Sequence, residues 1–454
     1  MEHMTEKIVQ YLTECKYQDI PEAVVDTTKK FIMDTIGVGL AGATAPGCKE
    51  ALQLFRGFGG KEEATLIGWG GKLPSPSAAF LNSLLFHALD FDDTYDPAAM
   101  HCYANTLPAA LALAEAKGGI TGEQFITAVA VGVDLCARLG LAIKTPLSWI
   151  RTATCGSFAA AATAAKVLGL DREGMHNALG VVYSQTAGNA QCLIDGGLTK
   201  RMQPAFSARA GTLSALMAQM GITGAREVFE GKYGFFNLYE RGQYDGESMM
   251  EGLGKEYFGA RLSIKPYPSC RMTHASIDAA LYIKEKYGVC MKDVEKAELY
   301  TSKMCKNMVG SPFRIRTNPQ VDAQFSIPYT VSVALEKGKP FIPDFNEDFV
   351  RMPKWRELSS RVLVFTDSSL DPRDLKSAAI KVYLKNGQIL EHRVEVFKGN
   401  PGNPLNWDEC VDKFKACAKH SLKEFKEAQL EMLLNKLINL EGLEDVREVT
   451  GLLG

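Results

Sequence analysis

Along the first 262 residues of this 454-residue chain, apolar side chains recur three and four positions apart, the spacing of one face of an α-helix. In PEAVVDTTKKFIMDTIGVGLAG, residues 21–42, Pro21 fits the first helical position, and Val24, Val25, Thr28, Ile32, Thr35 and Ile36 fall on one stripe. SAAFLNSLLFHALD, from residue 77, predicts a second helix that delivers a run of aspartates at its C-terminal end. LPAALALAEAKGG predicts a helix starting near Pro108 and stopping at Gly118-Gly119, and Thr121 with Gln124 makes a capping box for the next one. The Ala-rich stretches GSFAAAATAAKVLGL and ARAGTLSALMAQMG predict helices whose small residues let their axes approach closely.

From about residue 263 the pattern shortens to β-like runs, VEKAELYTS, RVLVFTD and IKVYLKNGQILEHRVEVF, the last with a hairpin signal at Asn386-Gly387. One predicted helix, around SIPYTVSVALEKG, interrupts them. PGNP, residues 401–404, reads as an exit hinge, after which the chain is helical again from Asn406. The apolar stripe of that tail, Phe414, Cys417, Leu430, Leu433 and Leu437, needs a partner and is expected to find it in the first domain. The expected division is a helical domain from 1–262, an α+β domain from 263–401 and a helical return from 402–454.

Composition narrows the function without naming it. With 46% apolar residues and a formal net charge of −2 the chain is globular, and no Lys/Arg stripe runs along a predicted helix, so nucleic acid is not an expected partner. MEHMTEKIVQYL lacks the features of an export signal, and the longest apolar stretch, FITAVAVGVDLCARLGLAI, is interrupted by Asp134 and Arg138; a cytoplasmic location and no membrane partner are expected. The eleven cysteines include no C-x-x-C pair, which argues against a zinc ribbon or a compact iron–sulfur motif. G-x-S-x-G, P-loop and strand-linked G-x-G-x-x-G motifs are missing, which removes support for a serine hydrolase, an NTPase or a Rossmann dehydrogenase.

Three segments carry candidate chemistry. HALDFDDTYDPAAMHCY, residues 87–103, gathers Asp90, Asp92 and Asp93 between two of the seven histidines. It could be a Mg²⁺ cage, an acid/base centre or the solvated end of a helix. On a helix Asp92 and Asp93 would point apart and no second acidic cluster completes a cage, while Asp at a helix C-terminus opposes the macrodipole. IKPYPSCRMTH, residues 264–274, packs Lys265, Cys270, Arg271 and His274 around two prolines that should hold it extended; the bland reading is a charged linker. GGLTKRMQPAFSARAG, residues 196–211, places Lys200 and Arg201 just before a helix, where cations are unfavourable unless an anion joins them, although a surface loop explains it too.

Taken in order, HALDFDDT, LPAALALAEA, CGSFAAAATAAKVLGL, KRMQPAFSARAG, KPYPSCRMTH, FSIPYTVSVAL and LINLEGLEDVREVTGLL make the whole chain resemble the MmgE/PrpD superfamily. That superfamily includes 2-methylcitrate dehydratase, cis-aconitate decarboxylase and iminodisuccinate epimerase. The resemblance implies a mostly α fold: a large all-helical domain built from both chain ends and a smaller α+β lid. It also implies a homodimer, an active site at the domain junction, a small carboxylate substrate, and no obligatory metal or organic cofactor. Positions matching the decarboxylase branch are Asp90, Thr94, His101, Lys200, Lys265 and Tyr329. Two positions depart from it: Ile150 or Arg151 stands where that branch has one histidine, and Cys270 where it has another.

The shared chemistry is handling a proton on carbon next to a carboxylate, which requires neutralising enolate-like charge as it develops. In this reading His101 is the general acid/base, Asp90 orients it, and Thr94 hydrogen-bonds the substrate or Asp90. Lys200 and Lys265, with Arg201 and Arg271, hold the substrate's charge, and Tyr329 donates a proton or binds a carboxylate. Cys270 is either a second base or a buried thiol. The leading expectation is a metal-independent hydro-lyase of the 2-methylcitrate dehydratase type. The alternatives are an epimerase or isomerase of a dicarboxylate, a cis-aconitate decarboxylase, which the two lost histidines put in question, and a non-catalytic helical scaffold.

Overall fold

The computed structural model describes residues 3–316 and 318–454, and the chain is mostly α-helical with small sheets. It forms two compact units: one from the residues up to Ala88 with Asp92–Leu262 and Asn406–Gly454, the other from Leu89–Phe91 with Ser263–Leu405.

In the first unit, α1 (Glu22–Gly42) follows Pro21, whose carbonyl accepts the N–H groups of Val24 and Val25; the proline caps the helix one residue outside it. From Phe31 onward every residue of α1 is buried, so this half is a central helix and not an amphipathic one. Glycines let α2 (Ser75–His87) approach it: a Cβ at Gly42 would lie 2.1 Å from the Leu85 carbonyl oxygen. A two-residue ribbon, β1 (Ala64–Thr65) against β2 (Lys72–Leu73), precedes α2.

The next helix, α3 (Tyr103–Lys117), begins five residues before the expected start and carries Pro108 inside it. A proline there cannot donate to the carbonyl four residues back. The Ser83 hydroxyl of α2 donates to that orphaned Ala104 oxygen at 2.6 Å, so the helix continues. The capping box of Thr121 and Gln124 opens α4 (Gly122–Ala142) as its spacing predicts. Among the described residues α4 is the one helix long and apolar enough to cross a membrane, and its apolar window is 94% buried. Its two buried charges pair with each other, Arg138 Nε at 2.7 Å from Asp134, and Arg138 also donates to the carbonyls of Met249 and Glu251. The Ala-rich α5 (Arg151–Leu168) packs on α6 (Thr199–Gln219), where a Cβ on Gly211 would meet Ala160 at 2.5 Å. α6 thus starts well before the predicted ARAG, running through Pro204 and taking Lys200 and Arg201 into its first turn.

The second unit holds more helix than its pattern predicted. Beside the expected α8 (Ile327–Lys337) stands α7 (His274–Tyr287), which buries Ile277, Ala280 and Leu281, and shorter helices such as Pro353–Ser360. β3 (Val294–Thr301), β4 (Val362–Thr366), β5 (Ala378–Leu384) and β6 (Ile389–Val394) form a sheet in the order β4-β3-β5-β6. Only β3 and β4 run parallel. The Asn386-Gly387 turn joins β5 to β6, with Gly387 at φ 88°, a conformation glycine adopts without strain. Ile380 and Val382 alternate into a core shared with Leu299 and Trp355.

The final segment belongs to the first unit. Asn406 and Glu409 cap α9 (Trp407–Ala418), which buries Phe414 and Cys417; farther on, Leu433 and Leu437 are buried and Leu430 half-buried. Lys413 of α9 pairs with Asp34 of α1 at 2.7 Å, both fully enclosed.

Candidate active site

α2 ends at His87, and the three aspartates lie beyond the helix instead of on its last turn as the pattern suggested. Asp90 sits at φ 53°, a left-handed conformation that Asp tolerates better than most side chains. The segment after it returns Asp92 to the helix end, where one carboxylate oxygen serves two imidazoles. Asp92 Oδ2 lies 2.8 Å from His87 Nδ1 and 3.1 Å from His101 Nδ1. The two rings meet edge to face, with centroids 4.5 Å apart.

The three groups differ in access. The side chains of His87 and Asp92 are 2% and 0% exposed, while that of His101 is 16% exposed, so His101 alone can meet a solute. Its main chain is pinned on both sides: its N–H donates to Thr152 Oγ1 and its carbonyl accepts from the Asn105 amide. The charge states follow from this setting. Burial holds His87 down to about 4 despite the neighbouring Asp92 charge, with Lys200 and His101 pushing the same way. His87 is therefore neutral at physiological pH. Because an ionised carboxylate can only accept, the neutral ring places its proton on Nδ1 and donates to Asp92. Burial alone would raise Asp92, but the two imidazoles outweigh it and hold the carboxyl well below the usual range.

Asp93 has a different task. Its oxygens accept the N–H groups of Cys102 and Tyr103 at 2.8 and 3.1 Å, which caps α3 and explains its early start. Burial and the Asp92 charge push it up to about 7. Thr94 donates to Asp96 at 2.8 Å. Lys200, half-buried in the first turn of α6, is close enough for its charge to act on His87, whereas Arg201 is buried and donates to the Pro46 carbonyl. Of the pair considered for the missing histidine, Ile150 caps α5 and Arg151 donates to the carbonyls of Ala98 and Thr145.

The second unit contains its own charged group. Lys265, 2% exposed, donates to the Asp90 carbonyl at 2.9 Å and lies 3.2 Å from its carboxylate. Asp90 is thus the partner of Lys265, and the orienting contact expected of it at His101 is made by Asp92. Cys270 is buried, and burial together with the Asp90 charge pushes its thiol up to about 12, which makes it a poor base at neutral pH. Arg271 lies over the Phe397 ring at 2.8 Å. The 264–274 segment is not extended throughout, since Arg271–Thr273 forms a 3-10 turn leading into α7. His274 is fully buried, its imidazole held well below the usual range by burial and by Arg271. Tyr329 is a core residue: its hydroxyl donates to the Asp344 carbonyl and its ring packs near Phe313 and Trp355. A hydroxyl so engaged is not the free proton donor the sequence suggested.

His87 and Asp92, though inside the segment that the sequence singled out, were given no role in the acid/base reading. The available signal was a histidine five positions before Asp92 and another nine after it, in a chain with only seven.

Two family models account for most of the chain: the MmgE/PrpD N-terminal domain matches residues 6–247 and the MmgE/PrpD C-terminal domain residues 267–437. The chain is 27% identical to human cis-aconitate decarboxylase over 100% of its own length and 95% of that protein. It is 26% identical to a cis-aconitate decarboxylase-like protein of Aspergillus oryzae, covering 99% of this chain and 97% of the relative. To Escherichia coli 2-methylcitrate dehydratase it is 22% identical, over 97% and 94% of the two chains.

Proposed function

Because this chain belongs to the MmgE/PrpD family, we propose that it is a lyase acting on a small di- or tricarboxylate, most simply by removing water from a β-hydroxy acid without help from a metal. The observation that carries this reading is the carboxylate of Asp92 shared between His87 and His101, with only His101 open to a solute. In the proposed step the His101 imidazole takes a proton from carbon adjacent to a substrate carboxylate. The electron pair left behind forms the carbon–carbon double bond as the β-hydroxyl departs; that hydroxyl takes a proton from solvent and leaves as water, and the imidazolium then returns its proton to solvent. Asp92 stabilises the imidazolium that forms, and His87 fixes Asp92 by donating to it. Lys200 supplies positive charge to the substrate carboxylate, which becomes more enolate-like in the transition state.

A second reading, decarboxylation, is favoured by the higher identity to the cis-aconitate decarboxylases than to the dehydratase. It uses the same imidazole in reverse, as the acid that protonates the carbanion left by carbon dioxide. Incubation of the purified protein with hydroxy, unsaturated and imino polycarboxylates in deuterated water separates these outcomes. Loss of water supports the dehydratase, and loss of carbon dioxide with deuterium on the product carbon supports the decarboxylase. Exchange into unchanged substrate would replace both with an epimerase. Full turnover by His101→Ala would overturn the assignment of the base.

A further inference from the structure

We propose that His87, Asp92 and His101 are also a reversible binding site for a divalent transition metal ion, Zn²⁺ above all, whose occupancy switches the catalytic imidazole off. The binding half stands on geometry alone; the inhibitory half rests on the role proposed for His101.

Each side chain offers one ligand atom, and the three atoms lie within 4.8 Å of one another. Two imidazole nitrogens and a carboxylate oxygen suit Zn²⁺, and they suit Mg²⁺ poorly, because Mg²⁺ prefers an all-oxygen shell with several waters. Ligand atoms at about 2.0–2.1 Å from a tetrahedral ion stand about 3.4 Å apart. The observed contacts of 2.8 and 3.1 Å therefore need to open by about 0.6 and 0.3 Å, and the third separation starts within 4.8 Å.

A second observation points to a cation. Asp92 is fully buried, yet its other oxygen, Oδ1, has no hydrogen-bond donor, and His101 Nδ1 has no partner in hydrogen-bonding geometry. Enclosed acceptors of this kind are costly to leave unused; an ion bound through Oδ2 would engage His101 Nδ1 directly and offset the buried carboxylate charge that Oδ1 shares. The partial exposure of His101 provides the way in. The opposing charge is Lys200 and the supporting one is the neighbouring Asp93, while Asp34 is already paired with Lys413.

Coordination forms three dative bonds and involves no oxidation. The Nδ1 proton of His87 moves to Nε2, freeing the Nδ1 lone pair. His101, held through Nδ1, likewise carries its proton on Nε2 and has no lone pair left to accept one from carbon. One ion per chain thus blocks the base without touching the substrate's own contacts.

The experiment is titration calorimetry of the full-length, chelator-stripped protein with ZnCl₂, beside MgCl₂, repeated on Asp92→Asn and His101→Gln with folding checked by circular dichroism. One Zn²⁺ per chain, weakened at least tenfold in either folded variant and with no Mg²⁺ heat, supports the site. Binding equal to wild type in both variants, or a thiolate charge-transfer band when Co²⁺ replaces Zn²⁺, would overturn it, since either places the ion elsewhere. On whichever acid is turned over, Zn²⁺ should lower kcat with recovery on adding EDTA; saturation by Zn²⁺ with unchanged kcat would refute the inhibitory half. The calorimetry decides the site even if no substrate in the panel is accepted, so a failure of the lyase reading is told apart from a failure of the metal site.

Discussion

Replacing His87 by Gln tests the charge states on which the site depends. Folded His87 titrates at about 4 against an ordinary value of 6.5. Between those values the unfolded chain binds a proton that the folded chain refuses. This residue's contribution to stability is therefore complete above about pH 6.5 and is lost as the pH falls toward about 4, at up to about 1.4 kcal/mol per pH unit. Over the whole window that amounts to about 3 kcal/mol. Glutamine keeps an N–H for Asp92 and cannot be protonated, so His87→Gln should lack this component. Wild-type stability alone would mislead, because Asp93, raised to about 7, acts in the opposite sense over much of the same range. Its folded form keeps a proton the unfolded chain releases, so it loses stability as the pH rises. The informative quantity is the difference between the two proteins. Urea unfolding of both, followed by circular dichroism from about pH 7 to 4, should show wild type losing about 3 kcal/mol relative to the variant. Parallel profiles would mean that folded His87 titrates at its ordinary value, and wild type gaining stability relative to the variant as the pH falls would mean that it is held protonated; either result would overturn the picture of an imidazole kept neutral by burial.

Three further outcomes are expected. Asp92→Asn keeps the shape but removes the negative charge beside both rings; losing a charge-assisted interaction of about 1.5–3 kcal/mol should lower kcat roughly 10- to 100-fold with KM little changed, measured on whichever acid of the panel is turned over. Lys413→Met strands the buried Asp34 and should cost about 3–5 kcal/mol in urea unfolding, most of it recovered in the double variant with Asp34→Leu. Of the eleven cysteines only Cys290 is partly accessible, so a thiol reagent should modify one group quickly in the native protein, and the loss of that fast phase in Cys290→Ser would confirm its origin. Fast modification of Cys270 would contradict its burial and its thiol pKa of about 12.

Much of the local structure was legible in the chain. The Thr121–Gln124 capping box, the Asn386-Gly387 hairpin, the β3–β6 runs and the stripe of α1 are encoded in neighbouring residues, and each forms where its pattern stands. Family membership was readable too, because several motifs in fixed order mark a fold more specifically than any single motif. The errors share one cause. α3 was expected to begin at Pro108, but a carboxylate ten residues before it caps its start and a hydroxyl from α2 satisfies the carbonyl that the proline leaves open.

The same distinction runs through the candidate site. Sequence by itself determined which chemistry was present: aspartates, imidazoles and ammonium groups suited to moving a proton beside a carboxylate. Only the tertiary structure decided that Asp92 pairs with His101, that Asp90 pairs with Lys265, and that Tyr329 is enclosed with its hydroxyl engaged. Periodicity fixes side-chain direction within a helix or strand, where the backbone repeats. Beyond the end of α2 the repeat stops, and the direction of each aspartate is set by whichever distant partner offsets the cost of burying its charge.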